Sequence, residues 1–303
     1  MSKSLSLQTF FHYMNQLVFW IVKAFSKLPF PVLYFISDII YFGLNYLIGY
    51  RRKVIFNNLK NSFPEKSNRE IKQIQKEFYK NFADYLVETL KAFTISPEEL
   101  EKRHTHSGLD IMNQIQLEKK NVFLMAGHVF NWEWFIGTAL ILPTPKNVAV
   151  YHRLRNAFWD KKMQQLRARY RTTTVEMRRV IRVMLQTPND GNTTYLLIAD
   201  QSPKKHEIHY SLDFLHQQTP VFTGFDKLLT KKDFAVVYAQ TTKIKRGYYH
   251  TEFIRILPDG EDFVENEAVN KFFHLLQKTI QQQPSNWLWS HKRWKHAQNK
   301  SYG

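Results

Sequence analysis

Residues 122–135 read Val-Phe-Leu-Met-Ala-Gly-His-Val-Phe-Asn-Trp-Glu-Trp-Phe, and this stretch decides the fold. With Asn121 it holds a short apolar run, 121–126, closed by Gly127. Such a run predicts a strand buried on both faces. The aromatic segment from about Asn131 predicts a helix, so His128 falls in the turn between the two. Similar runs recur at 147–151 (NVAVY), 194–199 (TYLLIA) and 234–240 (FAVVYAQ). Helical stretches near 131–142, 157–170 and 175–187 lie between them. Strand–helix alternation of this kind predicts an α/β fold, a mixed central sheet flanked by helices. The run 249–257 (YHTEFIRIL) alternates polar and apolar, as a half-exposed edge strand does, and a last helix is expected over 264–283.

A site in an open α/β sheet forms at the carboxyl ends of its strands, which is where His128 lies. Glu133 follows five residues later. On one continuous helix that offset would set the two about 140° apart. With His128 in the preceding turn, its imidazole can fold back over the first helical turn. A carboxylate on one ring nitrogen fixes the tautomer and leaves the other free to take a proton from a hydroxyl. His128 and Glu133 are therefore the candidate catalytic pair. A histidine satisfied within the core, beside a glutamate favoured at a helix start, is the alternative.

The 303 residues carry 43 Lys+Arg against 26 Asp+Glu, a net charge of +17. Such a charge favours an anionic partner: nucleic acid, an acidic membrane surface or an acidic protein. No RNA- or DNA-binding module is visible, and the N-terminus is strongly apolar, so nucleic acid is not the expected partner. Cysteine is absent, which removes thiolate nucleophiles and cysteine-ligated metals. Neither a phosphate-binding glycine loop nor a GxGxxG motif occurs, and no metal or cofactor is expected.

The first 50 residues form their own unit. Two apolar segments, 16–25 and 31–49, are broken by Lys27, Pro29 and Pro31. Asp38 sits at the centre of the second, where a charge costs about 2.5–3.5 kcal/mol in a bilayer. Tyr34, Asp38, Tyr41 and Asn45 share one helical stripe, which predicts a lipid-facing side and a polar seam against the body. The sequence leaves open whether this segment spans or skims the membrane. Arg51, Arg52 and Lys53 follow and would hold this end at the cytoplasmic face. The expected organisation is a membrane-associating helical segment over 1–50 and an α/β domain over 51–303. Within the latter, Ser67 and Glu70 have capping-box spacing at the head of an amphipathic helix over 67–93.

Six segments, in order, resemble the late acyltransferases of lipid A biosynthesis (lauroyl/myristoyl acyltransferases), part of the wider glycerolipid acyltransferase superfamily with its HxxxxD/E motif. They are GYRRKVIFNNLKNSFPEKS (49–67), GHVFNWEW (127–134), VYHRLRNAFWD (150–160), ADQSP (199–203), TPVFTGFDKLLTKKDFAVVY (219–238) and NWLWSHKRWK (286–295). The resemblance implies a glycerol-3-phosphate acyltransferase-like fold at the cytoplasmic face of the inner membrane. It implies transfer of a fatty acyl group from acyl carrier protein, or acyl-CoA, to a hydroxyl of a lipid acceptor. That acceptor would be a lipid A precursor, or else another lipid, glycolipid or pigment alcohol. His128 would act as general base, without a covalent acyl-enzyme. The resemblance also marks Asn131, Arg153, Asp200, Gln201, Thr223 and Gly224 as substrate-binding candidates. One segment departs from the family pattern: His152 stands where the family has Arg, and Arg153 where it has Pro. Asp200 and Gln201 could instead tie their strand end to the His128 turn, and Thr223–Gly224 could be a plain tight turn. Trp287, Trp289 and Trp294 would either pack on the core or sit at the headgroup level.

Overall fold

The computed structural model describes residues 2–229, 231–257 and 264–297. The helices are α1 (Ser2–Ser26), α2 (Phe30–Phe42), α3 (Arg52–Ser62), α4 (Asn68–Lys91), α5 (Pro97–Arg103), α6 (Leu109–Leu117), α7 (Thr138–Ile141), α8 (Ala157–Arg167), α9 (Met177–Gln186), α10 (Asp226–Leu229) and α11 (Glu267–Gln282). The strands are β1 (His104–Ser107), β2 (Val122–Ala126), β3 (Lys146–Tyr151), β4 (Thr172–Glu176), β5 (Thr193–Ile198), β6 (Tyr210–Phe214), β7 (Gln217–Val221), β8 (Ala235–Lys245) and β9 (Tyr248–Arg255). A π-helical turn, Gly43–Ile48, extends α2, and a 3-10 turn, Trp132–Gly137, precedes α7.

Seven strands form one sheet in the order β1-β9-β8-β2-β5-β3-β4. The strands β8, β2, β5, β3 and β4 run parallel, whereas β9 is antiparallel to β8 and carries β1 parallel to itself. This is the mixed α/β sheet expected. It is covered on both faces, and β2 at its centre is buried at every position because each face meets a separate apolar cluster. Phe123 and Met125 point to the larger cluster; Val122, Leu124 and Ala126 point to the smaller.

The half-exposure expected of 249–257 is present: Tyr249, Thr251 and Phe253 are buried, and Glu252 faces out. Its expected place at the sheet edge is not. β9 lies between β8 and β1, and the edge is β1, whose sequence His-Thr-His-Ser has no apolar run to announce it.

The capping box forms as its spacing predicts. The Glu70 amide donates to Ser67 Oγ at 3.3 Å, and the Ser67 amide donates to Glu70 Oε2 at 2.8 Å. Helix α4 then buries Ile71, Phe78, Ala83 and Val87, each large one contributing on the order of 1.5–3 kcal/mol. Its polar positions receive α2. Tyr34 donates to Glu88 at 3.0 Å, Ser37 donates to Asp84 at 2.7 Å, and Arg246, at the β8–β9 turn, bridges Asp38 and Asp84 at 2.7 Å each. Tyr34 and Asp38 of the stripe thus join this seam, together with Ser37, whereas Tyr41 meets Tyr46 and the Asn45 carbonyl accepts from Arg52. On the opposite side Phe35, Ile39 and Phe42 are more than half exposed. The run Phe30–Ile48 is long and apolar enough to cross a membrane.

Candidate active site

Strands β2 and β5 are parallel neighbours with Ala126 opposite Ile198, so their carboxyl ends emerge side by side. The chain leaves β2 through Gly127 into His128 and leaves β5 through Ala199 into Asp200 and Gln201. The Ala199 amide donates to Ala126 O at 2.9 Å and locks the two exits together. Gly127 is needed for close packing: a Cβ there would lie 2.6 Å from Leu276 Cδ1.

His128 Nδ1 lies 2.5 Å from Asp200 Oδ1, and the His128 amide donates to Asp200 Oδ2 at 2.8 Å. Since an ionised carboxylate only accepts, Nδ1 carries a proton, and in the neutral ring Nε2 has the lone pair. Asp200 is 2% exposed. Burial alone would raise its pKa. The His128 ring, the Trp287 indole N–H (2.6 Å to Oδ2) and the His128 amide outweigh that and hold it below the ordinary carboxylate range. Gln201 Nε2 lies 3.0 Å from His128 Nε2, and Trp132 sets its ring edge-on to the imidazole at 4.8 Å.

The carboxylate that orients His128 is thus Asp200, not Glu133. The reason lies in the 3-10 turn Trp132–Gly137, which directs Glu133 towards the end of α8. There Arg167 grips it with two parallel bonds, Nη2 to Oε1 at 2.6 Å and Nε to Oε2 at 3.0 Å. His128, Glu133, Arg167 and Gln201 nevertheless line one cavity of about 260 Å³. Its walls are apolar, from Leu124, Phe135, Ala149, Leu196 and Ile198, and its far end is polar, from Thr138, Asn147 and Thr194. Thr194 Oγ1 is satisfied by Thr144 at 2.8 Å, and Asn147 donates to Thr144 O at 3.2 Å. From the level of Ile198 to that of Thr194 the cavity follows about 13 Å of strand.

Other expected residues lie elsewhere. Asn131 is buried and donates to Glu88 Oε2 at 3.3 Å, so its amide faces the α4 core rather than the cavity. Arg153 is exposed, 4.0 Å from Asp160, on a groove beside the cavity mouth. Thr223 and Gly224 form the turn into α10, where the Asp226 amide donates to Thr223 O at 3.1 Å; neither lines the cavity or the groove. Trp287 and Trp289 pack in the core, 3% and 0% exposed. The tail crosses the His128 turn, with the Leu288 amide donating to His128 O and the Phe130 amide to Asn286 O. Arg167 was not foreseen, because no local spacing joins it to Glu133, thirty-four residues away.

An imidazole oriented by a buried carboxylate, lining a largely apolar cavity, can take a proton from a hydroxyl brought to its second nitrogen. Comparison with known proteins agrees. Residues 1–296 match the profile of the bacterial lipid A biosynthesis acyltransferases. The chain is 22% identical over 272 residues, 89% of its length and 87% of theirs, to the lipid A biosynthesis palmitoleoyltransferase of Escherichia coli (strain K12) and to the lipid A biosynthesis acyltransferase of Shigella flexneri. The chain belongs to this family and is an acyltransferase.

Proposed function

We propose that the protein adds a secondary acyl chain to a lipid A precursor at the cytoplasmic face of the inner membrane. The donor is the thioester of an acyl carrier protein or of coenzyme A. The observation that carries this reading is the pairing of Asp200 with His128, which lines the apolar cavity.

The donor's acyl chain lies along β2, β5 and β3, with its thioester at the His128 end. The acceptor hydroxyl takes the place of the Gln201 amide at Nε2. As it attacks the thioester carbonyl, its proton passes to Nε2, and Asp200 stabilises the imidazolium. The tetrahedral intermediate collapses, the C–S bond breaks, and the proton on Nε2 goes to the departing thiolate. Serine, threonine and cysteine take no part, so no acyl-enzyme forms. Arg167 uses two of its five N–H groups on Glu133, and its charge stands in the cavity wall to stabilise the developing oxyanion.

The test is an assay of the purified protein with acyl carrier protein thioesters of graded chain length and a lipid A precursor, read by mass spectrometry. His128→Ala should abolish transfer while the protein stays folded and membrane-associated. Ala149→Phe should remove transfer of the longest chains and spare the shortest. Full activity in His128→Ala rejects the mechanism; a wild type that leaves the precursor unchanged rejects the acceptor.

A further inference from the structure

Continuous with the cavity lies a groove of about 870 Å³ that shares His152, Leu154, Met177, Leu197, Ile198 and Gln201 with it. Its rim carries Arg153, Arg155, Arg178, Arg179 and Lys204. Two of these cations are already partnered: Lys204 lies 3.6 Å from Glu207 and Arg153 lies 4.0 Å from Asp160. Among the described residues no ion pair reaches Arg155, Arg178 or Arg179, although Glu176 and Glu207 also line the groove. Arg178 and Arg179 open α9, and the next turn presents Ile181, 40% exposed, to the same groove, with Leu154, 43% exposed, opposite.

Unpaired guanidinium groups beside exposed apolar side chains match a ligand that is anionic at one end and apolar at the other. Guanidinium forks suit phosphate in particular, which they grip with two parallel hydrogen bonds. The cations line a concave groove rather than a convex patch. That shape fits a compact headgroup better than the helix of an acidic protein. We propose that Arg155, Arg178 and Arg179 hold a phosphate of the lipid acceptor, setting its hydroxyl at the Gln201–His128 junction. This deepens the acceptor assignment above and rests on it. The apolar cavity then serves the donor's chain and the basic groove serves the acceptor, with Gln201, which lines both, beside His128.

The test uses full-length protein in detergent and two probes, a bisphosphorylated acylated glucosamine disaccharide and its phosphate-free counterpart. By titration calorimetry the wild type should bind the phosphorylated probe at least about tenfold more tightly, as charge-assisted bonds of this kind allow. Arg178→Gln/Arg179→Gln should level the two affinities, and Arg178→Lys/Arg179→Lys, which keeps the charge, should restore part of the difference. In the transfer assay the glutamine variant should raise KM for the phosphorylated acceptor and leave kcat and the donor KM unchanged. Equal affinities in the wild type, or a variant that raises the donor KM instead, overturn the proposal, the second by making the groove a carrier-protein site. A wild type that prefers the phosphorylated probe but acylates neither supports the groove and removes the acceptor reading on its own.

Discussion

Trp287 donates its indole N–H to Asp200 Oδ2, the same oxygen that receives the His128 amide. One carboxylate oxygen therefore ties the C-terminal tail to the His128 turn, while the other faces the imidazole. Trp287→Phe keeps most of the packing and deletes the donor. It should cost about 1–3 kcal/mol of stability, since a buried acceptor loses a partner. It should also lower kcat while leaving the KM for acceptor near its starting value. A kcat equal to wild type in a protein with lowered Tm would show that the bond is purely structural.

Glu133 and Arg167 form a bidentate pair with little exposure, 5% and 22% for their side chains. Breaking such a pair from one side leaves a buried charge alone. Arg167→Ala should therefore destabilise by about 3–5 kcal/mol. Glu133→Gln/Arg167→Ala should be less damaging than the sum of its parts, because neither charge is then stranded. Chemical denaturation of the two single variants and the double variant measures the coupling. Strict additivity would mean that the two groups do not depend on each other in solution.

Glu88 is fully buried, and burial raises its pKa from 4.5 to about 7 despite hydrogen bonds from Tyr249 and Tyr34. Between those values the folded protein holds a proton that the unfolded chain has lost. This group's contribution to stability is thus complete below pH 4.5, falls as pH rises, and is gone above about 7. Glu88→Gln should flatten the decline in Tm between pH 5 and pH 8 relative to wild type. Parallel Tm curves for the two proteins would contradict this.

The parts of the fold legible in the sequence were those whose local pattern matches their burial. β2, β3, β5 and β8 are short apolar runs because both faces of the sheet are covered, and the α4 start is written in Ser67 and Glu70. β1 and β4 were not foreseen, since His-Thr-His-Ser and Thr-Thr-Thr-Val-Glu carry no apolar run. The hairpin of β6 and β7 escaped notice for the same reason, its strands being largely polar. At the site, the strand–helix turn pointed to His128 and offered Glu133 as its carboxylate. The alternative reading of Asp200 and Gln201, as ties from their strand end to the His128 turn, is the contact the structure shows. That partner is fixed by the register of β2 against β5, seventy-two residues apart in sequence, and no spacing rule spans such a distance. Glu133, the nearer carboxylate in sequence, is drawn away by Arg167.

The seam between α2 and α4 bears on any attempt to make the enzyme more tractable. Asp84 and Glu88 are nearly dry in the intact chain, and α2 supplies Ser37 and Tyr34 as their hydrogen-bond donors. A protein trimmed to begin at residue 51 would open both carboxylates to water and disturb Glu88, the acceptor for Asn131, three residues after His128. The apolar N-terminus is therefore masonry for the body of the protein, and solubility won by cutting it away would come with a loosened α4.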